Sequence, residues 1–285
     1  MGGGTLSSFY LKRYMRLFPL LLSSVVVYDV LAALYKSSYE VPFMGKDISL
    51  WGSIATVLGI QSGWASKNPY INNPLWYISV LLLCYVVFYF IVYISKRINV
   101  PYVYGFIIMV FIGLGINSYK MDYMFLNSYS ARGYYAFFGG LLLAHFTSEK
   151  VIKYRHYLLC IAIILSLTYM IVKHTAFMSP GIKYTMTFLY FPALIILFKA
   201  PLINRLLSFR FVECMGSVSF NVYVWHLPVL VATYVCISKF SWAIDFDNRK
   251  TMFMYAIICF AIGIISHFIL EKPAKKYVNA HILKK

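Results

Sequence analysis

The chain has 285 residues, of which 61% are hydrophobic and only 12% charged. A soluble domain carries about a quarter charged residues, so this chain cannot cover itself with a polar shell, and lipid is its solvent. The charge is lopsided, 26 Lys and Arg against 9 Asp and Glu for a net of +17. In so apolar a chain that excess reads as basic residues gathered at cytoplasmic loops and anionic headgroups, and nucleic acid is not an expected partner.

The chain opens with "MGGGTLSSFYLKRYMR". No apolar core precedes the charges, so no cleavable leader is expected. Leu6 breaks the myristoylation pattern that the glycines suggest. A first span is expected over 17–36, with Asp29 about 18 Å along it at about 1.5 Å per residue. Directly before it, Arg13 and Arg16 are three apart, on one helix face, with Tyr10, Tyr14 and Phe18 interleaved. Two readings stay open for this segment. It is a plain cytoplasmic anchor, or it is a phosphate clamp in which guanidinium forks hold a pyrophosphate and aromatic rings hold a base.

The stretch 48–65 is short, holds three glycines and ends in the polar "SKNPYINNP". The next expected spans are 74–95, 100–118, 132–148, 157–173, 184–200, 216–238 and 251–271. If 48–65 does not cross and the N-terminus is cytoplasmic, 16 basic residues lie inside and 10 outside. If it crosses, the split becomes 11 inside and 15 outside. The positive-inside rule selects the first case. The expected fold is all-α, a polytopic transmembrane helix bundle of about eight spans. One short re-entrant or interfacial segment lies on the outer face, both termini are cytoplasmic, and a single domain covers 1–285. Asn73 and Pro74 read as an N-cap and first helical residue. Pro273 reads as the stop of the last helix. Gly113, Gly115, Gly139 and Gly140 read as sites of close helix approach. Trp51, Trp64, Trp76 and Trp242 read as interfacial anchors.

The five cysteines are scattered, with no C-x-x-C pair and no His/Cys cluster, so neither a disulfide framework nor a metal site is expected. Ionisable groups inside the membrane are costly and are read first as functional. His226 lies about halfway along the seventh span, with Tyr223 one turn earlier and Trp225 beside it. A hydrogen-bonded role within the bundle is expected for it. His267 and Glu271 are four apart near the end of the eighth span and share a face; a cap or loop ion pair at the cytoplasmic face is the plainer reading for Glu271. Asp29 pairs with a neighbouring polar side chain or serves the chemistry. Arg132 opens the fourth span at its outer end, where it opposes the helix dipole and needs a partner.

Five stretches taken in order resemble one family. "RYMRLFP" at 13–19 looks like its R-x-x-R motif, and "NNPLWYISVLLLCYVVFY" at 72–89 resembles its "PLW" helix start. "RGYYAFFGGLLLA" at 132–144 is similar to its Arg-led "FxxGxxL" helix. "MGSVSFNVYVWHLPVL" at 215–230 and "SHFILEKPAKKY" at 266–277 resemble its last two helices. The family is the bacterial acyltransferase-3 family, integral membrane enzymes that O-acylate surface or exported polysaccharides. The resemblance implies acyl-CoA, most simply acetyl-CoA, as co-substrate, with its phosphates at Arg13 and Arg16. It implies a polysaccharide or lipid-linked sugar as acceptor, near Trp76 and Arg132 on the outer side, and places His226 on the acyl path. It also implies ten spans with the catalytic histidine on the first. This chain is expected to begin after the second, so no residue here takes that role. An O-acetylating acyltransferase of the cell membrane is therefore the first expectation. A polysaccharide exporter and a non-catalytic membrane subunit on the same scaffold are the alternatives. The acyl group, the acceptor and the oligomeric state, a homo-oligomer among the options, stay open.

Overall fold

A computed structural model of the chain describes residues 5–65, 72–146, 186–198 and 207–281, with the single positions 157, 160, 161, 164, 204 and 205. The expected span 157–173 lies almost wholly outside the described residues, and 184–200 lies partly outside them. The rest is helical: α1 Leu6–Tyr39, α2 Leu50–Val57, α3 Trp76–Arg97, α4 Tyr102–Ser118, α5 Ser128–Phe146, α6 Phe191–Phe198, α7 Arg210–Phe240, α8 Arg249–Ser266 and α9 Lys272–His281. Among the described residues there is no strand, only an isolated bridge between Tyr123 and Leu126.

Four helical runs are long and apolar enough to cross a bilayer: Leu6–Tyr39, Asn73–Arg97, Val212–Phe240 and Arg249–His281. Tyr102–Ser118 is a shorter apolar helix. The backbone of such helices satisfies itself, which is what lipid demands. The chain clusters into two compact units. One comprises Met1–Phe90, Ile116–Ala131 and Cys214–Lys285; the other comprises Ile91–Gly115 and Arg132–Glu213.

In the first unit α1 starts at Leu6, with Thr5 as N-cap accepting from Ser8 N at 3.3 Å. Arg13 and Arg16 thus lie within the helix and not ahead of it. Leu20, Leu21 and Val25 of α1 pack with Leu75, Ile78 and Leu82 beside α3 and with Val224 of α7. Farther along, Tyr28 and Ala32 pack with Phe43, Leu227 and Val231. In lipid this packing gains dispersion contacts more than it removes apolar surface from water. The second unit holds its own contacts, Phe106 on Phe138 with ring centroids 5.6 Å apart and Tyr135 on Phe188 at 5.8 Å.

Local features meet some expectations and correct others. α2 is 8 residues long, too short to cross. The chain then folds back along α3, where Ser62 N donates to Ser79 Oγ at 3.0 Å and Ser79 Oγ donates to Ser62 O at 2.7 Å. Trp64 joins this packing and donates Nε1 to Ser79 O at 3.0 Å, so it is a core residue and not an anchor. Trp51 and Trp242 are exposed, as anchors are. The helix start at 73 is a 3-10 turn, Asn73–Leu75, capped by Asn72. The Asn72 side chain makes no cap bond; it is fully buried and neither amide atom has a partner among the described residues.

Pro273 does not end the last helix. A π-helical turn, His267–Glu271, precedes it, and Lys272 N donates to His267 O. Pro273 is the second residue of α9, where a missing N–H costs least, and the wide turn absorbs its ring. The helix continues to His281. The expected close approaches at Gly115 and Gly140 are not made: among the described residues nothing lies within 4 Å of a Cβ built there. A tight approach to backbone is made at Gly263, where a Cβ would stand 3.1 Å from Val222 N and 3.3 Å from its Cα.

Candidate functional site

The Gly263–Val222 approach sets the register between α7 and α8, and a buried polar chain grows from it. Trp225 Nε1 donates to Ser266 Oγ at 2.8 Å, and Ser266 Oγ donates to Asn221 Oδ1 at 3.1 Å. Asn221 Nδ2 donates to Glu271 Oε2 at 2.5 Å. His267 Nδ1 stands 2.7 Å from that same oxygen. A carboxylate only accepts, so Nδ1 carries the proton and Nε2 is the free nitrogen. Lys275 Nζ meets the other carboxylate oxygen. Asn221, Ser266, His267 and Glu271 are all buried. Each charge and amide here has its counterpart, which is the condition for keeping such groups away from water. His267 and Glu271, expected on one helix face, meet each other within a larger network.

A second polar link lies farther along α7. His226 is half-buried, with Nδ1 2.6 Å from Tyr223 O. A carbonyl only accepts, so again Nδ1 is the protonated nitrogen. Tyr223 OH donates to Pro74 O, and its ring packs edge-on against Tyr77 at 6.2 Å. Tyr255 OH of α8 donates to His226 O at 2.6 Å. The ring bond expected for His226 is made within α7, to the Tyr223 carbonyl, and not to a neighbouring helix, and the Tyr223 partnership includes that carbonyl as well as the ring.

The arginines of α1 differ from one another. Arg13 lies over the Phe9 ring at 3.6 Å and the Tyr85 ring at 5.1 Å, and donates Nη1 to Phe9 O at 3.0 Å. Arg16 is exposed and donates Nη2 to Asn279 Oδ1 of α9 at 3.4 Å. Neither guanidinium uses all of its five donors on these partners. Tyr85 precedes Lys96 by about 17 Å of helix at about 1.5 Å per residue, so Arg13 stands beside the body of α3 rather than at its basic end. The interleaved rings stack mainly on each other, Tyr10 on Tyr14 at 6.2 Å and Tyr14 on Phe18 at 5.6 Å. Tyr14 OH also donates to Val57 O at 2.9 Å. Those rings pack the bundle; the ring that stacks under a guanidinium is Phe9, which sequence spacing did not single out.

Asp29 accepts from Ser53 Oγ of α2 at 2.7 Å, and its buried Oδ1 has no partner. Trp76 packs on Tyr129 with centroids 5.6 Å apart, in the first unit. Arg132 is on α5 in the second unit and is exposed.

The residues that sequence reasoning missed are Asn221, Ser266, Lys275, Ser53 and Asn279. Asn221 is the one with a visible signal, an amide in a span that is otherwise apolar or aromatic around it. No curated protein and no solved structure matches the chain. The family model for the acyltransferase-3 domain, described as an acyltransferase domain, matches residues 1–272. That match takes in α1 with its arginines, the polar chain of α7 and α8 and the π-helical turn, and it shows that the chain belongs to the acyltransferase-3 family.

Proposed function

We propose that the chain moves an acyl group, acetyl in the simplest case, from acyl-CoA to a hydroxyl of a cell-surface or exported polysaccharide or of its lipid-linked precursor. The observation that carries this reading is the family match over residues 1–272, taken with two guanidinium groups on α1 that have donors to spare, one of them meeting a basic terminal helix. Arg16 reaches α9, which also carries Lys272, Lys275 and Lys276. Phosphate oxygens suit such a set, because guanidinium forks bind them with charge-assisted pairs of hydrogen bonds. Arg13 stacked on Phe9 supplies a second fork held in place by a ring.

The frame for this chemistry is a multi-pass protein of the cell membrane with about eight spans, both termini in the cytoplasm, and α2 dipping in from the outer face. The donor enters from the cytoplasm and the acceptor from outside. Trp76 and Arg132 serve the acceptor side, and the His226 link lies on the acyl path. The activity is tested by giving radiolabelled acetyl-CoA to membrane vesicles containing the chain. Label appearing in the glycan or lipid-linked glycan fraction, above vesicles without the chain, is the expected result. Label in neither fraction, with every candidate glycan of the source supplied, counts against it.

A further inference from the structure

Arg16 and His267 stand at different levels along one continuous helical run. Arg16 bonds Asn279 near the end of α9, and His267 begins the π-helical turn that leads into it. Asn279 and His267 are twelve residues apart, about 18 Å along the axis at about 1.5 Å per residue. Such a separation matches an extended pantetheine arm, whose phosphate end and sulfur end must be met by different groups. Near the sulfur end a transferase needs something to deal with the thiolate that departs.

The His267–Glu271 pair is built for proton handling. Glu271 Oε2 takes both the His267 Nδ1–H, at 2.7 Å, and an Asn221 amide N–H, at 2.5 Å. Lys275 holds the other carboxylate oxygen. The carboxylate is thereby fixed from three sides, and it fixes the ring in turn. No hydrogen bond of His267 Nε2 is found among the described residues, so that nitrogen is the one free to act. A carboxylate behind one ring nitrogen and a free second nitrogen is the arrangement that orients a histidine and supports its charge when it carries two protons. A plain structural ion pair does not need a histidine whose second nitrogen is left without a partner. The π-helical turn gives a further reason to look here, because such turns inside long helices recur at functional sites.

We propose that His267 meets the sulfur of the acyl thioester and supplies the proton that the departing CoA thiolate takes up, with Glu271 as its positioning residue. This rests on the acyl-CoA reading above. In the step, the acceptor oxygen forms a bond to the acyl carbon and its proton passes to water on the acceptor side. The acyl carbon–sulfur bond breaks and the sulfur leaves with the electron pair. The sulfur takes the Nε2 proton of the ring, which enters the step carrying two protons, and becomes the free thiol of CoA. The neutral ring, its Nδ1–H still on Glu271, regains a proton from water on the donor side. The sum is one thioester and one alcohol converted to one ester and one thiol.

The test uses the full chain in detergent and bromoacetyl-CoA, an electrophile carried on the same arm, which alkylates a nucleophilic group lying beside the thioester position. Adducts are mapped by mass spectrometry with and without excess acetyl-CoA. The expected result is an adduct on His267 that acetyl-CoA suppresses by about tenfold or more, because placement and not intrinsic reactivity drives it. Arg13→Ala/Arg16→Ala, which removes the phosphate anchor, should abolish the same adduct. Glu271→Gln should slow it while leaving its position unchanged. An acetyl-CoA-protected adduct on another residue, or no protected adduct in a protein that binds acetyl-CoA, overturns the assignment to His267 and leaves the acyl-CoA site standing. A parent protein that does not bind acetyl-CoA overturns both.

Discussion

Trp225 and Ser266 are joined by a 2.8 Å hydrogen bond between neighbouring helices, and each is followed in the chain by a histidine, His226 and His267. One bond thus fixes the register of two half-buried or buried imidazoles. The close approach at Gly263 allows it, since Val222 backbone atoms would meet any Cβ there. Both rings hold Nδ1–H to an acceptor, a carbonyl for His226 and a carboxylate for His267.

Gly263 should tolerate no side chain. Gly263→Ala places a methyl against Val222 Cγ2, N and Cα, and overpacking of this kind costs about 1–3 kcal/mol. Gly140→Ala meets nothing within 4 Å among the described residues and gains helix propensity, up to about 1 kcal/mol. Thermal melts of the two variants in detergent should shift in opposite directions. A common direction would show that the α7–α8 contact is not tight.

Asn221 bridges Ser266 and Glu271 with both ends of its amide. Asn221→Leu keeps much of the volume but removes a donor from a buried carboxylate, a loss of about 1.5–3 kcal/mol for a bond to a charged group. The melting temperature should fall well below that of Ser208→Ala, whose hydroxyl is exposed. Equal melts for the two variants would mean that water reaches Glu271 freely.

Asp29 gives the opposite expectation. One oxygen bonds Ser53 and the other is buried without a partner. Asp29→Asn retains an oxygen for Ser53 and removes a charge that has no counter-ion among these contacts, so the protein should melt no lower and is expected to gain stability. A clear loss of melting temperature would show that the charge has a stabilising partner.

The orientation proposed above predicts that Lys96 faces the cytoplasm and Asp245 the exterior. In a protein whose five native cysteines are replaced, a cysteine at 245 should react with an impermeant reagent on intact cells, and one at 96 should react after the membrane is opened. The reverse pattern would invert the bundle.

Local spacing made some of this legible in the sequence and hid the rest. His267 and Glu271 are four apart, so a shared face follows from helix geometry alone. The membrane class follows from composition, and the family from five short stretches read in order. Asn221 and Glu271 are fifty positions apart, and what unites them is the register set at Gly263, which no local pattern encodes. Pro273 misled for a related reason: a proline reads as a stop unless a wide turn precedes it, and a π-helical turn has no sequence signature of its own. Tyr10, Tyr14 and Phe18 interleave with the arginines in the sequence, but such rings can serve the bundle as readily as a ligand, and here they pack on one another.

Acetyl-CoA binding to the purified chain tests the central claim most directly. Each charge-assisted phosphate contact contributes about 1.5–3 kcal/mol, so Arg13→Ala/Arg16→Ala should weaken binding by at least about a hundredfold. Arg→Lys at both positions should fall between, because lysine keeps the charge and loses the fork. Binding by the double alanine protein as tight as the parent's, or no binding by the parent, would contradict an acyl-CoA site at these arginines and with it the proposed transfer.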